Sequence, residues 1–394
     1  MSRTGRAGGK ILFRFSHIPV ILLGFFILAS CGQDSIFYNI SNEPEPRNPL
    51  IIGNSTNMVI VNNELYVGSR MNNRIFRYGS NAEGNLQWSL IPAPGGSVGE
   101  LATDGRYVFA LVFPGGNPLN LTSIKRFNTS SNAWDAEFNT SQYSIQTLYG
   151  VDGGIYAGAL PRSDFQNYLI LYIDPSTLSM KVVKENTSLL RGAASGAGGN
   201  TYLATAGSGI FRATNDNVEA APENGTANVN MAGIIATSGT VIAVSSNGSV
   251  YFQSSPGLFS SFTTGFLFTG AMALWADHEN RWRNSLLLLG VRGRGSSVAN
   301  GYREVVLDGE GFPTITIRSP GESSPSSVKN RARYTASIGQ HPAEAILQVP
   351  DINNGGLLDY SAFASESDWE PPIFVGTSRS GLWSYRDGQW NAEE

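Results

Sequence analysis

A single cysteine, Cys31, occurs in the 394 residues. A disulfide within the chain is therefore excluded, and the folded part must rest on a hydrophobic core. Histidine is nearly as scarce: His17, His278 and His341 are all there are. None stands in a metal-ligand spacing such as His-Glu-x-x-His, so neither a metal nor another cofactor is expected. Charged residues make up 15% of the chain, against about 25% in ordinary soluble domains. The net charge is −4 and there is no Lys/Arg tract, which argues against nucleic acid as a partner. The one basic cluster is Arg281, Arg283, Arg292 and Arg294. It reads as the solvated edge of a loop, with an acidic ligand or lipid head group as the competing reading. The apolar stretch from Ile18 to Leu28 falls short of the roughly 20 residues that span a bilayer, and Pro19 lies near its start.

That stretch has a context. Arg3, Arg6, Lys10 and Arg14 precede it with no acidic residue, and the small pair Ala29-Ser30 follows, then Cys31. This is the charge, grease and small-residue order of a secretory signal. The run Leu28-Ala29-Ser30-Cys31 resembles the lipobox of bacterial lipoproteins. The resemblance implies that Cys31 carries acyl chains of the palmitate class and that residues 1–30 are removed. An ordinary secretory signal and an uncleaved anchor are the competing readings. Each buried methylene of such chains contributes about 0.8 kcal/mol to membrane binding. Loss of residues 1–30 removes four positive charges, leaving 23 basic against 31 acidic residues, or −8. Residues 31–49 are polar and include Asn42-Glu43-Pro44-Glu45-Pro46. They bury too little to offset their ordering entropy and read as a tether. Gly32 stands where some bacteria place an inner-membrane retention Asp, so the resemblance leans towards the outer membrane.

From residue 50 to 394 one pattern recurs. A turn rich in Gly, Asp or Asn leads into a short apolar strand with an aromatic, and a second aromatic strand follows. Examples are Leu65-Tyr66-Val67 with Arg74-Ile75-Phe76, Ile155-Tyr156-Ala157 with Leu171-Tyr172-Ile173, and Leu286-Leu287-Leu288 with Tyr302 to Val305. Tyr66, Tyr156, Tyr202 and Leu288 fall at intervals that imply a unit of about 45 residues, the period of an all-β propeller with four-stranded blades. Seven blades are expected, with six or eight as alternatives, because the gap from Leu288 to Phe374 is about twice the period. An expanded seventh blade explains that gap better than an extra one. The Ser/Pro-rich stretch from Glu322 to Lys329 reads as a loop, as do Asn353 to Gly356 and Ser365 to Asp368. A β-helix or β-sandwich is the structural runner-up. The last unit, Ile373-Phe374-Val375-Gly376-Thr377-Ser378-Arg379-Ser380-Gly381-Leu382-Trp383-Ser384-Tyr385, resembles the repeat of bacterial sensor-type propellers. That resemblance implies the fold and says little of a ligand.

No residue set demands catalysis. There is no Gly-x-Ser-x-Gly elbow, and Gly196-Ala197-Gly198-Gly199 lacks the Lys-Ser/Thr of a phosphate loop. Asp277-His278-Glu279 reads as a polar loop and His341-Pro342 as a turn. Ser254 to Phe259 and Ser384 to Trp390 have the flavour of sialidase-type boxes without the spacing, and read as strand-connecting turns. Asp104, Asp152 and Asp174 sit near turns, where Asp is first of all a turn former; a glycosidase carboxylate pair is the competing role. Asn139-Thr140-Ser141 belongs to a Ser/Asn-rich surface. The expectation is a lipid-anchored, non-catalytic propeller that binds or scaffolds other envelope proteins. The alternative is a carbohydrate- or small-molecule-active enzyme with its site at the central channel mouth. A surface-exposed protein that contacts a host is a third reading. The site residue expected from sequence is Cys31, as the lipidation site; no catalytic, cofactor or metal residue is assigned.

Overall fold

The computed structural model describes residues 57–393, except 70–72, 82, 84–85, 115–121, 197–198, 238–239, 276–285, 294–299, 349–371, 378–380 and 387. Cys31, the signal and the tether lie outside the described residues. So do Arg281, Arg283 and Arg294, the Asp277-His278-Glu279 triplet, and the expected loops at 353–356 and 365–368.

The chain folds into seven four-stranded antiparallel sheets, each a simple meander in chain order. These blades span residues 57–90, 97–138, 143–187, 190–218, 231–263, 267–318 and 343–392, numbered here 1 to 7. The first strand of each blade packs against the first strand of the next, and blade 7 returns to blade 1, so the sheets close into a ring. The seven-bladed reading therefore stands.

The second strand of each blade has neighbouring blades on both faces. It is buried almost throughout, as in Glu64–Ser69, Thr201–Thr205, Val241–Ser245 and Ile373–Thr377. Burying such a Val, Leu or Phe side chain contributes roughly 1.5–3 kcal/mol. Tyr66, Tyr156, Tyr202, Leu288 and Phe374, the residues that mark the repeat, all lie on these strands. The first strands run along the axis, where the blades converge. Glycine is needed there for close approach. A Cβ on Gly150 in blade 3 would lie 1.8 Å from the Thr103 carbonyl oxygen of blade 2, and one on Gly233 in blade 5 would lie 2.3 Å from the Gly270 oxygen of blade 6.

Blade 7 is built wholly from residues 343–392 and blade 1 wholly from 57–90, so no strand is shared across the point of closure. Side chains close it instead. Phe374 sits 5.6 Å from the Tyr78 ring and edge-on to Trp88 at 6.1 Å. The Glu393 carboxylate accepts from Trp88 Nε1 at 2.6 Å, from Ser384 Oγ and from Arg386. Arg386 also donates to the Tyr78 hydroxyl at 3.1 Å. Ser384 and Tyr385 are thus buried residues of a third strand, Gly381–Arg386, and the turn expected from Ser384 to Trp390 narrows to its middle.

The long gap before blade 7 is an expansion. Residues 319–342 hold a short helix, α1 (Arg331–Ala336), capped by Asn330, and a single 3-10 turn, Ile338–Gln340. Val328, Tyr334 and Ile338 extend the core shared by blades 6 and 7. The stretch from Glu322 to Lys329 has no regular structure, as expected, yet it is not a free surface loop. Ser326 and Ser327 hold the Glu304 carboxylate, which is fully buried.

Candidate functional site

In an antiparallel meander, the turns joining strands 1 to 2 and 3 to 4 lie at one end of every blade. The 2-to-3 turns and the blade-to-blade connections lie at the other. The ring therefore has a turn face and a connection face.

The Asp residues expected at turns lie on the turn face, and the carboxylates of Asp104 and Asp174 accept from the backbone there. Asp104 Oδ1 accepts from the Arg106 and Tyr107 amides at 2.9 and 2.8 Å. Asp174 Oδ1 accepts from the Ser176 amide at 2.8 Å and from its hydroxyl, and those bonds hold the Asp174 carboxyl below its ordinary pKa. The Asp152 amide donates to Ser195 Oγ across the blade 3–blade 4 junction. Asn139 makes the same kind of turn, accepting from the Ser141 amide. Ser254 to Phe259 is the reversal between the third and fourth strands of blade 5. His341 ends the 3-10 turn, its carbonyl accepts from the Gly301 amide at 2.6 Å, and its ring stacks 6.4 Å from Trp383. Burial lowers its pKa. Of the expected basic cluster, Arg292 is described; it ends a strand of blade 6 and pairs with Glu344 at 3.2 Å.

The seven first strands enclose a central cavity of about 440 Å³ that residues from every blade line. That volume is within the range of about 300–1,000 Å³ usual for ligand pockets. Its charged side chains come from three blades: Glu100, Arg191 and Glu344. Each sits where its strand slips register against the second strand, between Val98 and Leu101, Leu190 and Gly192, and Ala343 and Ala345. A β-bulge inserts an extra residue and re-aims its side chain. Blades 3, 5 and 6 carry similar slips, while blade 1 pairs regularly. In blades 4 and 7 the slip comes at the second residue of the strand, close to the connection face.

The carboxylates are already engaged. Glu100 Oε2 reaches from blade 2 to accept the Leu148 amide of blade 3 at 2.6 Å, and Glu344 meets Arg292. Tyr149 also lines the cavity and borders the core between blades 3 and 4. Burial, with the Glu100 charge nearby, pushes its phenol pKa well up, and Arg191 opposes this.

None of these four residues was expected from sequence. The available signal was a lone charge inside a short apolar or small-residue strand, as in Ser97–Thr103 (SVGELAT), Leu190–Ser195 (LRGAAS) and Ala343–Gln348 (AEAILQ). Among the described residues, no group of three or more His, Cys, Asp or Glu side chains could hold a metal ion. Among the same residues, no helix is long and apolar enough to cross a membrane.

The chain matches no protein-family model and no curated protein sequence. Solved structures do resemble it. The WD40 β-propeller domain of Doa1 superposes with a TM-score of 0.51 at 11% identity, over 87% of this chain and 94% of that one. PorZ, described as an essential bacterial surface component of the type-IX secretion system of Porphyromonas gingivalis, gives 0.50 at 10% identity. That match covers 87% of this chain and 38% of PorZ. A chain of the mitotic checkpoint complex gives 0.51 at 10% identity, over 84% and 88% of the two chains. At such identities the likeness concerns architecture alone, and the architecture is that of a seven-bladed β-propeller.

Proposed function

We propose that this protein is a lipid-anchored, non-catalytic propeller of the bacterial cell envelope that binds or scaffolds other envelope proteins. The observation that carries the reading is the closed ring of seven blades, which presents a turn face and a connection face. A rigid disc with two loop-built faces is suited to presenting surfaces to other proteins. The anchoring half rests on the sequence, where Leu28-Ala29-Ser30-Cys31 ends a signal-like segment. Acylated at Cys31 after removal of 1–30, with residues 31–49 as tether, the propeller is confined to one membrane. Its effective concentration near membrane partners rises accordingly. The likeness to PorZ, a bacterial surface component, agrees with an envelope location, and Gly32 favours the outer membrane.

In-cell crosslinking and detergent pull-down of the native protein and of Cys31→Ala test the reading, with intact mass as the check on acylation. The expected result is an acylated native chain that captures a defined envelope partner, and an unacylated variant that does not. Equal solubility of both forms with no partner would remove the anchored-scaffold reading. The second reading, a carbohydrate- or small-molecule-active site, draws on the cavity and its Glu100 and Glu344. Turnover of a glycan or ester panel that disappears in Glu100→Gln would favour it.

A further inference from the structure

Among the described residues, two hydrogen-bond donors of the central cavity have no acceptor. Arg191, on the bulge of blade 4, is exposed to the cavity and forms no hydrogen bond or ion pair among the described residues. The Tyr149 hydroxyl, on the adjoining first strand of blade 3, has no hydrogen-bond partner among them either. The two strands pack side by side, and the phenol lies within electrostatic reach of the guanidinium. Several other arginines are engaged with acidic side chains. Arg126, Arg212, Arg292, Arg318 and Arg386 all meet carboxylates.

From this the geometry points to a carboxylate-binding site in the central cavity, with Arg191 and Tyr149 as the donors. A guanidinium presents paired N–H donors that match the two oxygens of a carboxylate. A phenol beside it supplies a third bond. Tyr149 is suited to this because its raised pKa keeps the proton in place. The remaining wall fixes what the carboxylate is attached to. Met58, Leu101, Met272 and Ile346 offer an apolar surface for a stem. Glu100 and Glu344 set two negative charges into the same cavity, which disfavours ligands of higher negative charge. The ligand class is thus a monocarboxylate on an apolar stem. A small organic acid and a peptide C-terminus both present that chemistry. The inference stands apart from the anchored-scaffold reading and needs neither acylation nor an envelope partner.

The test is calorimetric titration of the full chain with four probes. Hexanoate is compared with hexanamide, and an acetylated Ala-Ala-Leu peptide acid is compared with its amide. At least one acid should bind about tenfold or more tightly than its amide. Arg191→Gln should weaken that acid by about ten- to hundredfold, the effect of losing a charge-assisted hydrogen bond. Tyr149→Phe should weaken it by about two- to tenfold. Neither variant breaks a bond described within the protein, so both should melt like the parent. Tighter binding of hexanoate would assign the site to small acids, and tighter binding of the peptide acid to a protein C-terminus. Arg292→Gln removes an equal charge that pairs with Glu344 at the cavity wall, and should weaken binding far less than Arg191→Gln. The inference is overturned if acid and amide bind alike, if neither acid binds at about 1 mM, or if Arg292→Gln weakens binding as much as Arg191→Gln.

Discussion

The crowding at the axis is decided residue by residue. Gly150 cannot accept a methyl group, because the Thr103 carbonyl oxygen would lie 1.8 Å away and is itself backbone. Gly150→Ala must therefore push blades 2 and 3 apart, and a loss of about 3 kcal/mol or more is expected in urea unfolding. Gly265 is the matched control. Nothing lies within 4 Å of its virtual Cβ, and its φ is not in the left-handed region. Gly265→Ala should hold or gain about 0.4–1 kcal/mol, through the lower entropy of its unfolded chain. Equal effects at the two positions would show that convergence of the first strands does not limit the ring.

At the scale of elements, the strands differ in how plainly they were written. Second strands such as Leu286–Arg292 are covered on both faces and read as continuous apolar runs, so they announced the repeat. Third strands carried the aromatics Phe76, Phe127 and Phe211 and were nearly as clear. First strands were hidden. In several of them Ala, Gly and Ser stand in for the branched residues that mark a strand, as in Leu190–Ser195. The bulges were hidden with them, and so were Glu100, Arg191 and Glu344, since a register slip leaves no fixed residue signature. The segment 319–342 misled for another reason. Its serines looked like solvent-facing loop residues, yet Ser327 gives both its amide and its hydroxyl to Glu304, and Ser326 gives its hydroxyl. Arg318 approaches the same carboxylate at 3.4 Å.

Burial dominates that carboxyl and raises its pKa above the ordinary 4.5, against the opposing hydrogen bonds and Arg318. A raised folded-state pKa means that the native protein holds the proton more tightly than the unfolded chain. The stabilisation is therefore fully present below about pH 4.5 and is lost as pH rises through the folded-state value. Glu304→Gln stays neutral throughout. The difference in melting temperature, variant minus parent, should become more positive as pH rises from 4.5 towards 7. A difference that does not vary over that window would refute the assignment.

The whole molecule is a ring with one distinctive junction. Six of its joints lie within continuous chain, whereas the seventh, between blades 7 and 1, has no peptide linking its two sides. Glu393 is central there, 4% exposed and shared by Trp88, Ser384 and Arg386. Glu393→Ala leaves Trp88 Nε1 without its acceptor and Arg386 without its carboxylate, and should cost about 3 kcal/mol. Hydrogen exchange should then rise first in Asn57–Val61 and Ala343–Gln348. Uniform acceleration around the ring would mean that the clasp is not the weakest joint.

Because no strand crosses that junction, each blade is a contiguous cassette of chain. Duplicating or deleting one cassette changes the number of blades without rethreading any other sheet. The one place that must be re-fitted is the side-chain clasp at Phe374, Tyr78, Trp88 and Glu393. A ring closed in this way can change size through whole-repeat gain or loss, provided that the first and last cassettes keep their matching surfaces.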